Sequence, residues 1–127
     1  MMTVNLPAKT LDEGITNMMN TAKMDYQMWC THSSTDANAI SEYSKKELNE
    51  WQSKIKIMYG KKFIKVIREN GVFAFVCKDD VSGPFGSFKK GDVLMPASFN
   101  RPALNKARGN VLTGNYPIQW TGPLYLK

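Results

Sequence analysis

The fold is decided by a stretch in the middle of the chain that reads Phe63-Ile64-Lys65-Val66-Ile67-Arg68, then Glu69-Asn70-Gly71, then Val72-Phe73-Ala74-Phe75-Val76-Cys77-Lys78. The two flanking segments are rich in β-branched and aromatic residues, which are typical of strands. Asn-Gly is the preferred central pair of a tight type I′ turn between antiparallel strands. The stretch therefore predicts a β-hairpin with strands over residues 63–68 and 72–78.

Further strands are predicted on both sides of this hairpin. Residues 54–59 alternate with a period of two, which indicates a strand. Residues 88–94 read as a turn at Gly91 that leads into a strand, since glycine permits a positive φ. Two more strands are predicted around Val111 and Ile118. These elements favour a small antiparallel sheet or a partly closed barrel.

One short helix is predicted inside this β-rich part. Pro102 suits the first position of a helix because it has no N–H to leave unpaired, and Gly109 is typical of the residue just past a helix end. A helix over residues 102–107 would also present free N–H groups to an anion.

Residues 10–53 carry the pattern of helices. Thr10 and Glu13 have the Thr-x-x-Glu spacing of a capping box, which marks a helix start. Apolar residues then recur at spacings of three and four to about Cys30, which predicts an amphipathic helix. A polar stretch follows, and residues 40–55 predict a second helix.

The predicted fold class is thus α+β, with an N-terminal helical pair followed by a β-rich part. The chain has 127 residues, enough for one domain with its own core, so residues 1–127 are predicted to form a single domain with a helical part over 10–53 and a β-rich part over 54–127. The helices would form a hairpin against the sheet, or an extended pair that reaches a partner subunit.

Composition excludes several classes of protein. With 43% hydrophobic and 22% charged residues, the chain is neither disordered nor fibrous. Its longest apolar run is far shorter than the roughly 20 residues of a membrane span, and its start lacks the pattern of a secretory signal. We therefore expect a cytoplasmic protein without membrane contact, and Cys30 and Cys77 are expected to be free thiols.

Charge is divided unevenly along the chain. Of the net charge of +6, residues 1–53 carry four Lys or Arg and seven Asp or Glu, whereas residues 54–127 carry thirteen and four. No acidic residue follows Asp92. A basic surface of this kind attracts phosphate-bearing partners, either nucleic acid or small nucleotides. The lysines of residues 54–65 are equally explained as solvated side chains that protect a sheet edge.

Motifs for catalysis or metal binding are missing from the sequence. The single histidine, His32, has no Cys or His at metal-ligand spacing, and no nucleophile elbow, Walker loop or dinucleotide fingerprint occurs. We therefore expect a binding protein rather than an enzyme, with no metal and no cofactor.

Candidate ligand-binding residues are concentrated near the C-terminus. Arginine can donate paired hydrogen bonds to phosphate, asparagine can contact a base edge or a ribose hydroxyl, and aromatic rings can stack on a base. The alternative is structural: arginine caps carbonyls, asparagine makes turns and tryptophan fills the core. The candidates are Phe99, Asn100, Arg101, Asn105, Arg108, Asn110 and Trp120.

From Gly60 onward the chain resembles a family of small proteins encoded by bacteriophages and prophages. The resemblance is carried by Lys62–Val66, Phe88–Leu94, Ala97–Phe99, Ala107–Val111 and Trp120–Leu126. The family looks like the Thoeris anti-defence proteins, non-enzymatic sponges that sequester cyclic ADP-ribose-type immune signals and, in some homologues, cyclic oligonucleotides. The resemblance implies an α+β protomer that assembles as a homodimer or larger homo-oligomer, with polar, cationic and aromatic residues around the nucleotide.

The first functional hypothesis is therefore a phage-encoded protein that captures a small anionic cyclic nucleotide in the host cytoplasm without cleaving it. The second is a single-stranded nucleic-acid-binding protein on a small barrel, which would use the same residue types along a groove. The third is a phage inhibitor that docks on a host protein through Trp29, Trp51 and the methionines of its helices.

Overall fold

The computed structural model describes residues 2–32, 42–83 and 86–123. The fold is α+β, as predicted, with one short strand before the helices and the other antiparallel strands after them, and the described strands do not close into a barrel. The helices are α1 (Leu11–His32), α2 (Glu42–Asn49) and a 3₁₀ turn (Gln52–Lys54). The strands are β1 (Met2–Val4), β2 (Ile55–Tyr59), β3 (Phe63–Arg68), β4 (Gly71–Cys77), β5 (Val81–Gly83), β6 (Gly86–Phe88), β7 (Asp92–Leu94), β8 (Pro96–Ser98), β9 (Arg101–Pro102), β10 (Gly109–Asn110) and β11 (Tyr116–Ile118).

The β3–β4 hairpin is the centre of a five-stranded sheet with the order β10-β7-β4-β3-β2. Its turn differs from the prediction by one residue, because Arg68 pairs with Gly71 and the central residues are Glu69 and Asn70. Glu69 takes a positive φ of 59°, which costs a non-glycine residue about 1 kcal/mol or more. The Glu69 main-chain N–H donates to the Lys54 carbonyl at 2.9 Å, and the Lys54 ammonium lies 3.4 Å from the Glu69 carboxylate. These bonds offset the strain.

Helix α1 begins where the capping residues predicted it. The Glu13 N–H donates to the Thr10 hydroxyl at 3.1 Å, and the Glu13 carboxylate accepts from the Lys9 N–H at 3.4 Å. The buried face of α1 packs against the sheet and repeats at helical spacing. Its buried hydrophobic residues are Ile15, Met18, Met19, Ala22, Tyr26 and Cys30.

The second helix is shorter than predicted. Its proposed start at residue 40 and the polar stretch before it lie outside the described residues, as does the side chain of His32. Helix α2 ends at Asn49, and β2 already begins at Ile55. The chain turns inward between them because the Trp51 ring is buried and its Nε1–H donates to the Met19 carbonyl of α1 at 3.2 Å.

The central strand β4 is buried on both faces. On the α1 side, Ala74 and Val76 belong to the main core with Val66 and Val93. On the other side, β4 contributes to a smaller cluster that the segment after β8 covers in part. That cluster comprises Phe75, Cys77, Phe88 and Leu94, with Leu104 and Ala107 packed against it.

The predicted helix over residues 102–107 is wrong. β8 and β9 form a two-stranded hairpin, and the chain then crosses the smaller cluster without a helix. The Ala103 N–H donates to the Met95 carbonyl and the Arg108 N–H to the Val93 carbonyl, both at 2.7 Å. These bonds tie both ends of the segment to β7 and the residue after it, where the side chains of Leu104 and Ala107 pack on the smaller cluster.

The first strand, β1, pairs with the last described strand, β11, and both lie beside α1. The Trp120 N–H donates to the buried Asp25 carboxylate of α1 at 2.9 Å, which anchors the segment after β11 to the helix. No helix in the described parts of the chain combines the length and the apolar character that a membrane span needs.

Candidate functional site

The outer surface of β2 and β3 lies on the side of the main sheet that faces away from α1. Side chains alternate along a strand, so Ile57 and Val66 point to the core beneath α1, and Lys56, Met58 and Lys65 point to the opposite face. Met58 stands directly opposite Lys65 and is 49% exposed. This face therefore offers lysine side chains beside an apolar one.

The tip of the β8–β9 hairpin reaches over this face. Phe99 and Asn100 occupy the tip, and both contact the same lysine: the Lys65 ammonium lies 4.3 Å from the centre of the Phe99 ring and donates to Asn100 Oδ1 at 3.3 Å. Phe99 remains 50% exposed. A cation and an accessible aromatic ring are thus held side by side. We call the surface formed by Lys56, Met58, Lys65, Phe99 and Asn100 the Phe99 groove.

Hollows lie on two sides of the hairpin tip. The larger, of about 790 Å³, runs past Phe99 and Met58 toward α2, where Tyr43 borders it. The smaller, of about 260 Å³, lies between Asn100 and the turn that joins β2 to β3. Met58 borders both hollows, so they form neighbouring parts of one open surface.

An ion-pair network closes the α2 end of the larger hollow. The Lys54 ammonium lies 2.7 Å from the buried Glu47 carboxylate and 3.4 Å from Glu69. Lys54 holds the pKa of Glu47 below its usual value, and Glu47 in turn raises the pKa of Lys54. Arg68 stacks over the Trp51 ring at 4.1 Å and lies 3.9 Å from Glu47. Because Lys54 and Arg68 are paired with carboxylates, the positive charge of the Phe99 groove comes from Lys56 and Lys65, and that of the smaller hollow also from Lys61 and Lys62.

The sequence-predicted residues divide into two groups in the structure. Phe99 and Asn100 come together in the groove, and Arg101 is exposed beside them in β9. Asn105 and Arg108 instead bond to each other, with Arg108 Nη1 donating to Asn105 Oδ1 at 3.2 Å and also to the Lys106 carbonyl.

Asn110 and Trp120 are engaged in the fold. Asn110 Nδ2 donates to the Lys90 carbonyl at 2.9 Å and to the Asp92 carboxylate at 3.0 Å, and its Oδ1 accepts from the Leu112 N–H at 2.8 Å. The Trp120 ring is half-buried against Tyr26 of α1, with ring centres 5.0 Å apart.

The lysines of the Phe99 groove were missed as site residues. Lys56 and Lys65 occur in strand patterns whose lysines the sequence explains equally as attracting an anion or as protecting a sheet edge. The signal that could have found them is strand register. Residues that alternate with core positions along one strand share the face opposite the core. A hairpin turn then places them beside the residues of the next strand that lie on the same face.

Comparison of the chain with protein-family models, with curated proteins and with solved structures finds no match. Within residues 2–32, 42–83 and 86–123, no three or more His, Cys, Asp or Glu residues are grouped as metal ligands would be. The Phe99 groove itself offers lysine ammonium groups, an amide and an accessible aromatic ring.

Proposed function

We propose that this protein binds a nucleotide-class ligand in the Phe99 groove and does not cleave it. The observation that carries the proposal is the contact of Lys65 with both Phe99 and Asn100. Asn100 is 35 residues away from Lys65 in the sequence. A base can stack on the exposed part of the Phe99 ring while Lys65 and Lys56 attract the phosphate. An amide such as Asn100 can hydrogen-bond to a base or a sugar hydroxyl.

The energies of these contacts suit binding. Stacking of a base on an aromatic side chain is worth about 1–3 kcal/mol, and lysine side chains add sequence-independent attraction to phosphate. The acidic groups bordering the groove, Glu47 and Glu69, are held by Lys54. Because these ion pairs support α2 and the β3–β4 turn, the proposal gives Glu47 and Glu69 no part in activating a water or a substrate.

The first candidate ligand is a cyclic nucleotide immune signal of the cyclic ADP-ribose or cyclic oligonucleotide type. In this proposal a phage-encoded chain sequesters the signal in the host cytoplasm and so counters defence. The Phe99 groove is open on its outer side, so a small ligand would be enclosed only if a second copy covered it. The proposal accordingly includes a homodimer or a larger homo-oligomer.

The second candidate is single-stranded nucleic acid, and the shape of the site favours it. Hollows of about 790 Å³ and 260 Å³ adjoin at Met58 on both sides of the hairpin tip. Such a continuous, open surface can hold successive nucleotides, with one base stacked on Phe99 and the phosphates near Lys56 and Lys65.

Titration calorimetry with cyclic ADP-ribose-type signals, cyclic dinucleotides and short single-stranded oligonucleotides tests the site. Phe99→Leu keeps an apolar side chain but removes the ring, and should weaken binding by about 5-fold to 100-fold. Lys65→Ala should also weaken binding. Lys106→Ala is its matched control, because it removes the same charge from an exposed residue outside the groove.

Salt dependence and ligand recovery separate the candidates. Binding of a single strand should weaken steeply with salt, with a slope near −0.7 per phosphate contacted, whereas a small cyclic ligand should show a shallow slope. Mass spectrometry of the ligand released by denaturation should return it unaltered. A hydrolysed ligand would contradict storage, and equal affinity of Phe99→Leu, Lys65→Ala and the wild-type chain would contradict the site.

A further inference from the structure

The main sheet has an open edge at β2. The strand order ends with β2, whose inner side pairs with β3, and no strand of the described residues pairs with its outer side. An unpaired strand edge is a ready template for another strand, which proteins usually block with proline, a bulge or several charges. β2 reads Ile-Lys-Ile-Met-Tyr and contains one charged residue.

The register shows which main-chain groups face outward. The Glu69 N–H donates to the Lys54 carbonyl, and the Gly60 N–H donates to the Phe63 carbonyl, both at 2.9 Å. Because hydrogen-bonded pairs alternate along an antiparallel ladder, Lys54, Lys56, Met58 and Gly60 bond inward to β3. The main-chain groups of the residues between them, Ile55, Ile57 and Tyr59, are therefore directed to the open edge. The Ile55 N–H is already used by the Gln52 carbonyl.

We propose that β2 of a second copy of this chain pairs antiparallel with this edge, around a two-fold axis at Ile57. In this arrangement the N–H of Ile57 donates to the carbonyl of Ile57 of the partner subunit, and the reverse bond forms by symmetry. The N–H of Tyr59 likewise donates to the carbonyl of Ile55 of the partner subunit. The outward groups thus find partners without any change in the β2–β3 ladder, and the two five-stranded sheets become one.

The side chains of β2 suit a second copy. Ile57 meets its own symmetry mate, and Ile55 lies opposite Tyr59 of the partner subunit. On the other face, Lys56 lies opposite Met58 of the partner subunit, so no like charges stand directly opposite each other. An antiparallel register shifted by two residues, with the two-fold axis at Lys56, would place the two Lys56 side chains directly opposite each other and leave fewer of the outward groups paired.

Apolar residues beside the edge add to this interface. A cleft of about 130 Å³ between α1 and β2 is lined in part by Ile15 and Met19 of the helix and by Ile55 and Ile57 of the strand. The Tyr59 hydroxyl donates to the Asp12 carboxylate at 2.5 Å, which holds the Tyr59 ring at one end of this cleft. The isoleucines of an added strand on this face would cover apolar surface that the described part of one copy leaves accessible.

Pairing at this edge also joins two Phe99 grooves. The row that runs from Lys65 to Met58 continues to Lys56 of the partner subunit, so lysines of both copies lie on one continuous sheet face. The interface is formed by β2 and the α1 residues beside it, and it goes beyond the proposed function. A failure of nucleotide binding would leave the dimer intact, and a failure of dimerisation would leave the groove of each copy in place.

Sedimentation velocity of the full chain, from about 1 to 200 μM and without nucleotide, tests the proposal. We expect a dimer. Ile57→Pro removes an outward N–H but no bond to β3, so it should give a monomer with an unchanged far-ultraviolet circular dichroism spectrum. Lys56→Pro is the matched control. It removes an inward N–H that bonds to β3, so it should weaken the β2–β3 ladder and lower the melting temperature.

A charge pair at Met58 provides a test that leaves the backbone unchanged. Met58→Lys places a like charge opposite Lys56 of the partner subunit and should raise the dimer dissociation constant about tenfold, whereas Met58→Glu should lower it. A chain that stays monomeric at 200 μM overturns the proposal. A dimer whose dissociation constant is the same in the wild type, Ile57→Pro, Met58→Lys and Met58→Glu also overturns it, because its interface then lies elsewhere.

Discussion

Replacing Gly14 by alanine should destabilise the protein, although alanine is the better helix former. Gly14 is buried near the start of α1, where the helix passes the main chain at Val111. A Cβ on Gly14 would stand 2.5 Å from the Val111 carbonyl oxygen and 2.7 Å from the Val111 Cβ. Helix propensity favours Ala over Gly by about 1 kcal/mol. Overpacking costs about 1–3 kcal/mol, and because main-chain atoms yield little, we expect a net loss of about 2 kcal/mol.

Thermal unfolding followed by circular dichroism measures this difference. For a chain of this length, the loss should lower the melting temperature by roughly 8 °C. Asn20→Ala is the matched control because Asn20 is exposed on the same helix, and alanine there should raise the free energy of unfolding by about 0.5 kcal/mol. A Gly14→Ala variant as stable as the wild-type chain would refute the close approach of α1 to Val111.

Three further predictions concern buried polar groups. Tyr116→Phe should raise the free energy of unfolding in urea by about 1 kcal/mol, because the buried Tyr116 hydroxyl has no hydrogen-bond partner among the described residues; a loss of stability would show that the hydroxyl is bonded. The Lys54 ammonium lowers the pKa of Glu47, so the stabilisation from this pair is present above the unfolded pKa of about 4.3 and is lost as the pH falls through the lower folded value. The melting temperature of Glu47→Gln should therefore lie below that of the wild type at pH 7, and the two should converge in acid; a difference independent of pH would contradict the ion pair. Burial, together with the Asp92 and Asp80 carboxylates, raises the pKa of Cys77 to about 12. In a Cys30→Ala variant, Cys77 should react with a disulfide reagent at pH 8 only as fast as the protein unfolds, and rapid labelling in native buffer would show that the thiol is accessible.

The parts of the fold that could be predicted from the sequence are local. The start of α1 depends on Thr10 and Glu13, three residues apart, and the β3–β4 hairpin depends on two apolar runs beside one turn. The offset at Glu69 could not be predicted in the same way. Its positive φ is supported by Lys54, which is remote in sequence and reaches the turn only after β2 has paired with β3.

Part of the candidate site could be predicted from the sequence, and part depends on contacts between remote residues. Phe99 and Asn100 have the right chemistry, but what makes them a site is Lys65, which comes from the centre of the sheet. Asn105, Arg108 and Asn110 have equally suitable side chains. Asn105 and Arg108 lie between short strands and Asn110 ends β10, where nearby main-chain groups are available to them. Their side chains therefore bond within their own turns and to the neighbouring strand end.

The lysines of β2 and β3 can now be assigned different roles from their position on the sheet. Lys54 is bound by Glu47 and Glu69 and supports the fold. Lys65 is committed to Phe99 and Asn100, and it lies on the inner strand β3, where a lysine cannot protect an edge. Only Lys56 lies on the edge strand between the ladder ends, and its side chain projects along the face of the groove. A single lysine in that position leaves the main-chain groups of Ile57 and Tyr59 open to pairing, so protection of the edge does not account for the basic side chains of this region.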